Sequence, residues 1–165
     1  MNSRVDREIL RLLSEDARIS NADIAAALSI SEKEVTERIA ELEGCGVIKG
    51  YRCVIDNEKL DTDGSVSAII ELKVTPQAEY GFDDVAKAIA RYPNVESVSL
   101  MSGACDLTVV VNAKSFREVA SFVAEELAVM DAVKATATQF IMRRYKEFGV
   151  ELFSDKDDER SAISL

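Results

Sequence analysis

The 165 residues contain no histidine. That removes the commonest general base and the commonest metal ligand together. No Ser-His-Asp or Cys-His arrangement can be assembled, and neither an enzyme of that kind nor a metal or other cofactor is expected. Cysteine is scarce. Cys45, Cys53 and Cys105 show no C-x-x-C spacing and leave an odd count, which fits reduced thiols serving as small packing residues rather than a disulfide framework. Long apolar runs are missing too: Leu107 to Val111 and Val119 to Val123 fall far short of a bilayer, and MNSRVDREIL is too charged for a signal peptide. A cytoplasmic protein with no membrane partner is expected. Positive charge is in deficit, with a net charge of −10. Residues 1–52 carry eight Lys and Arg against ten Asp and Glu, residues 53–165 twelve against twenty, so the acidic excess lies mainly in the second part.

What is present is an ordinary globular composition, 47% apolar and 30% charged, enough for one or two soluble domains. Val5, Ile9 and Leu12 recur at helical spacing with Arg4, Arg7 and Arg11 between them, which predicts an amphipathic helix over 3–14. Ser20-Asn21-Ala22-Asp23 is a capping sequence for a second helix carrying Ile24, Ala25 and Leu28. After a Ser29-Ile30 turn, Ser31-Glu32-Lys33-Glu34 opens a third with Val35, Ile39 and Leu42, stopped by Gly44 and Gly46. Three helices, two of them joined by a short turn, make the arrangement in which the last helix is offered to the major groove of DNA. From Val47 to Ile55 the apolar alternation predicts a strand.

Residues 56–64, beginning DNEKLDTD, are polar and acidic and read as a linker. Strict alternation of Val66, Ala68, Ile70, Leu72 and Val74 then predicts a strand closed by Pro76. Phe82, Val85, Ala86 and Ile89 switch to helical spacing, and strands follow at 95–101 and 107–111 around a Ser102-Gly103 turn. Phe116, Val119, Ala120, Val123 and Leu127 predict a further helix, and Val133 to Arg143 a last strand. The order βαββαβ is the ferredoxin-like arrangement, two helices on one face of an antiparallel sheet, so the fold class is α+β. Ile69, Thr136, Thr138, Phe140 and Met142 are expected on the other face, a mixed apolar surface that fits a partner better than water. Residues 151–165 read as an acidic, disordered tail.

The segment Arg38-Ile39-Ala40-Glu41-Leu42-Glu43-Gly44-Cys45-Gly46-Val47-Ile48-Lys49-Gly50-Tyr51 strongly resembles the end of the recognition helix and the wing of Lrp/AsnC transcription regulators. Val98-Ser99-Leu100-Met101-Ser102-Gly103-Ala104-Cys105-Asp106-Leu107 resembles the sensor loop of the same family. Gly103 and Asp106 match its pattern, whereas Cys105 stands where an aromatic residue is common. Arg143-Arg144-Tyr145-Lys146-Glu147-Phe148-Gly149-Val150 also looks like the end of one subset of the family. The resemblance implies a winged helix-turn-helix DNA-binding domain over 1–55 and a ferredoxin-like ligand-sensing and oligomerisation domain over 65–150. It further implies DNA-facing Ser31, Lys33, Thr36, Glu37 and Arg38, and an effector, an amino acid or similar metabolite, at Ser102, Gly103, Ala104, Cys105 and Asp106. Double-stranded DNA and further copies of the chain, as a homodimer or larger ring, are the implied partners.

Several alternatives stay open at this point. Arg38 can equally form a structural ion pair with one of the ten acids around it. Asp106 can simply cap its own turn. A stand-alone metabolite sensor or protein-interaction module that has lost DNA binding would explain the net −2 of the first 52 residues. Haem-pathway decarboxylases resemble the two-domain architecture as well, but they look to rely on histidine, which this chain lacks.

Overall fold

The computed structural model describes residues 3–60, 64–75 and 81–153. The chain divides into two compact units, Met1–Ile55 and Asp56–Leu165. The first holds helices α1 (Arg4–Glu15), α2 (Asn21–Leu28) and α3 (Glu32–Gly44). Each opens on a serine: Ser3, Ser20 and Ser31 accept from the backbone N–H three residues on, which satisfies one of the donors a helix start leaves free. The reciprocal bond that completes a capping box forms at Ser3 and Asp6, whereas the Glu34 carboxylate turns to Arg38. Ser29, at φ 55, ends α2 in the left-handed region. The three apolar stripes meet in a small core of Ile9, Ile24, Ala25 and Val35, with Leu12, Leu28 and Ile39 packed around it.

The stop of α3 is a Schellman motif. The Gly46 N–H donates to the Glu43 carbonyl at 3.0 Å and the Val47 N–H to the Leu42 carbonyl at 2.9 Å, with Gly46 at φ +74. A Cβ there would meet only the Lys49 ammonium end, at 2.7 Å, which can swing away, so backbone strain decides the outcome. Gly46→Ala is expected to cost about 1–2 kcal/mol, readable as a shift in the urea midpoint of the first unit.

The strand expected from Val47 to Ile55 does not form; those residues carry no regular structure. Alternation makes a strand only where a second strand supplies a hydrogen-bonding ladder, and the described residues of this unit contain none. Val47, Tyr51 and Ile55 are consequently exposed.

The second unit is a four-stranded antiparallel sheet of order β2-β3-β1-β4, built from β1 (Val66–Val74), β2 (Val95–Leu100), β3 (Leu107–Ala113) and β4 (Val133–Phe140). Helices α4 (Phe82–Ile89) and α5 (Phe116–Phe122) cover one face. Ala68, Ile70 and Leu72 of β1 and Leu107, Val109 and Val111 of β3 form the core with Ile89, Val119, Phe122 and Leu127. Past Phe122 the helix widens into one π turn, Val123–Leu127, with the Ala128 N–H donating to the Val123 carbonyl. The expected stripe from Phe116 to Leu127 thus spans two kinds of helix.

Register corrects the assignment of faces. Phe140, Thr138 and Thr136 lie opposite Ala68, Ile70 and Leu72, and directly opposed residues share a face. They therefore lie on the helix-covered side, where Phe140 meets Phe116 edge-on with ring centroids 4.7 Å apart. Ile69 is on the open face as expected, with Glu71 and Lys73, across from Gln139, Ala137 and Ala135. Met142 lies beyond the end of β4, 86% exposed. In a strand reading Ala-Thr-Ala-Thr neither phase is distinctly apolar, so only the pairing with β1 decides it.

Two further expectations fail. Cys45 and Cys53 are exposed and Cys105 is half-buried, so the thiols are free as expected but are not core residues. The disordered tail expected from 151 does not start there, because β5 (Lys146–Glu147) and β6 (Val150–Glu151) form a hairpin. Its two turn residues, Phe148 and Gly149, both have positive φ, as a tight two-residue reversal requires. Residues 61–63, Pro76 and the tail from Ser154 lie outside the described residues. Among the described residues no helix is long and apolar enough to cross a membrane, and no cluster of acids and cysteines could hold a metal ion.

Candidate DNA-reading helix and effector loop

In α3 the buried Val35 and Leu42 fix which side faces inward, and Ser31, Lys33, Thr36 and Glu37 are exposed as a result. Ser31 is the cap. The Thr36 hydroxyl donates to the Glu32 carbonyl at 2.9 Å and accepts from the Asn21 amide of α2 at 3.0 Å. Lys33 Nζ sits 3.8 Å from Glu37 Oε1, one helical turn away, and both side chains are largely in solvent. Arg38 differs from these four. Its guanidinium donates from Nε and Nη2 to Glu34 Oε1, and from Nη1 to Asp6 Oδ1 at 2.8 Å and to Ser3 Oγ. The bonds to Glu34 and then Asp6 hold it above its already high ionisation range. Asp6 itself is buried. Arg38 is thus the clasp that closes α3 onto α1, the ion-pair alternative left open by the sequence. Just past α3, the Tyr51 hydroxyl donates to Glu43 at 2.9 Å, and partial desolvation together with that bond raises its phenol above the usual range.

The second candidate site joins β2 to β3. Ser102, Gly103 and Ala104 are exposed, Cys105 and Asp106 half-buried. Gly103 has φ +140, outside what a side-chain-bearing residue adopts readily. Asp106 is the most constrained of the five. Its N–H donates to the Leu72 carbonyl at 2.9 Å, its carbonyl accepts from Met101, and its Oδ2 accepts from the Val74 N–H at 2.9 Å. Its Oδ1 lies 3.7 Å from Lys73 Nζ. Asp106 therefore does not cap its own turn; it continues the β3 edge with a side chain and satisfies β1 past the Leu72–Leu107 pair, where the β1–β4 register shifts between Lys73 and Val74. Cys105 Sγ lies 3.6 Å from the Thr108 hydroxyl. Lys33, Thr36 and Glu37 share one exposed face of α3 and Ser31 caps its start, while Ser102 to Asp106 lie in one loop.

Comparison with known sequence families matches residues 3–43 to the AsnC-type helix-turn-helix domain and residues 67–150 to the Lrp/AsnC ligand binding domain. The chain belongs to the Lrp/AsnC family of transcription regulators. It is 42% identical over 159 residues to the HTH-type transcriptional regulator YugG of Bacillus subtilis, covering 96% of each chain. It is 30% identical to the leucine-responsive regulatory protein of Rhizobium meliloti, over 87% of this chain and 90% of that protein. Among solved structures it resembles LrpC of B. subtilis, with TM-score 0.62 and 28% identity over 88% of this chain and 98% of that one. It also shares its fold with a Neisseria meningitidis transcriptional regulator crystallised with L-methionine, at TM-score 0.68 and 20% identity over 89% and 94% of the two chains. This Lrp/AsnC protein is accordingly a DNA-binding transcription regulator with an effector-binding domain, not an enzyme.

Three residues of the two sites escaped sequence reasoning. Asp6 carried a signal, since Ser3-x-x-Asp6 has the spacing of a capping box; its pairing with Arg38, 32 positions away, carried none. Asn21 reads as an ordinary first residue of a helix, and only the packing of α2 on α3 brings it to Thr36. Lys73 is an open-face residue at the end of a strand, and the β1–β3 register sets it beside Asp106.

Proposed function

We propose that assemblies of this regulator bind double-stranded operator DNA in the cytoplasm through α3, and that an amino acid bound at the Ser102–Asp106 loop shifts that binding. The observation that carries the DNA half is the exposed row of Ser31, Lys33, Thr36 and Glu37, left facing outward while Val35 and Leu42 are buried. Arg38 contributes by holding the helix in place. For the effector half, an α-amino acid carries adjacent positive and negative groups. Asp106 Oδ1 can accept from its ammonium, and Lys73, at 3.7 Å from that oxygen, with the backbone N–H groups around Gly103, can take its carboxylate. The leucine-responsive relative and the methionine-bound structural neighbour support that ligand class. The open sheet face around Ile69, Val110 and Ala137 supports a homodimer or larger assembly in which the sheets cover one another. Several weak readers joined in one assembly offset the poor charge of each. A ligand couples to DNA only if it binds one assembly state more tightly than another.

The test is a fluorescence-anisotropy titration of the protein against its own upstream intergenic DNA at several salt concentrations, with and without an amino-acid pool. Saturable binding that weakens as salt rises is expected, with a shift in the apparent Kd on adding one amino acid. Absence of binding at low salt under all these conditions would point to a sensor that no longer reads DNA.

A further inference from the structure

We propose that Lys33 and Glu37 act as one unit that reads a single C·G base pair in the operator. This rests on the DNA-reading role of α3 argued above and adds to it the base that is read. In the major groove a C·G pair sets the O6 and N7 acceptors of guanine next to the N4 donor of cytosine. The Lys33 ammonium and Glu37 carboxylate, 3.8 Å apart on the exposed side of α3, present the complementary order: a donor beside an acceptor, with no acceptor on the lysine and no donor on the ionised glutamate. An A·T pair moves the donor to adenine N6, between two acceptors, so a glutamate placed over the pyrimidine meets thymine O4 instead of an amino group.

Several of the other polar side chains of α3 already have partners within the protein. Arg38, the other cation of the helix, is committed to Asp6 and Glu34. Glu34 is committed to Arg38 and Glu43 accepts from Tyr51. The Thr36 hydroxyl has its donor in use and one acceptor site filled, so one acceptor site and its methyl group are left for contact with a base. A glutamate on a groove-facing helix is repelled by phosphate everywhere and rewarded only opposite an amino group, cytosine N4 or adenine N6. The neighbouring Lys33 reduces the repulsion and matches the guanine of the same pair.

Both side chains are exposed, and pairs of this kind contribute little to stability, so Glu37→Gln and Lys33→Ala leave the fold intact. The experiment enriches a randomised DNA duplex library with the full-length wild type and each variant, followed by anisotropy on the selected site and its single-base changes. The wild type is expected to demand C·G at one position of each half-site, and Glu37→Gln to keep the site but lose about tenfold discrimination at that position alone. Lys33→Ala is expected to relax the same position and weaken binding overall. If Glu37→Gln tightens binding equally on all sequences with preferences unchanged, the glutamate is only a repulsive charge and the inference falls. If the wild type enriches no duplex at all, the DNA-reading role of α3 falls with it.

Discussion

Ile9→Ala is expected to melt the first unit at a temperature where the second stays folded. Ile9 has no exposed surface, and the core it belongs to contains three other buried residues, Ile24, Ala25 and Val35. Truncating a buried isoleucine to alanine removes transfer energy and leaves a cavity, together about 3 kcal/mol. A unit of this size has only a few kcal/mol in hand, so the loss takes most of it. The second unit draws on a separate core around Ile70, Leu72 and Val109 and does not feel the change. Hydrogen exchange followed by mass spectrometry reads it directly: amides of α1, α2 and α3 should lose protection while those of β1 and β3 keep theirs, and DNA binding should vanish while effector binding survives. Simultaneous loss of protection in both would mean that the two units fold as one.

Asp106→Ala and Asp106→Asn are expected to separate architecture from ligand recognition. Alanine leaves the Val74 N–H, at the buried end of β1, without its acceptor, which costs about 1–3 kcal/mol. Asparagine keeps a carbonyl oxygen for that N–H and should stay close to the wild-type urea midpoint. What it loses is the charge facing Lys73 and the acceptor for an ammonium group. Calorimetric titration with amino acids should therefore show Asp106→Asn folded but weakened in binding about tenfold, the loss of one hydrogen bond to a charged group. Wild-type affinity in the asparagine variant would remove Asp106 from the effector site and leave it a structural role only.

Periodicity was sufficient for α1 to α5 and for β1 to β4. The stripes through Val5, Ile9 and Leu12 and through Val35, Ile39 and Leu42 place α1 and α3 within a residue or two, and the alternation of Val66 to Val74 gives β1 outright. Two readings failed because they turn on a partner strand. Val47 to Ile55 alternates like a strand and has no ladder to join in its own unit, and the Thr-Ala run of β4 has no phase until Ala68 and Ile70 fix it. The same holds at the sites. Local spacing gave α3 and the turn between β2 and β3, and the family resemblance singled out the candidate positions on them. It could not distinguish a phosphate contact from a clasp at Arg38, because Asp6 lies 32 positions away, nor find the backbone bond from Val74 that defines Asp106.

The neutralised cations of α3 also bear on how the regulator finds its sites. With Arg38 tied to Asp6 and Glu34 and Lys33 beside Glu37, α3 itself adds little to the field that draws a protein toward DNA from a distance. Encounter should then run near the unsteered range of about 10⁵–10⁶ M⁻¹ s⁻¹, and residence on random sequence should be brief, with little sliding along the duplex. Such a regulator should search by repeated three-dimensional collision, with base contacts adding to a modest backbone term at its site. Most of its molecules should therefore be free in solution, able to respond to a change in metabolite level without first being released from bulk chromosome.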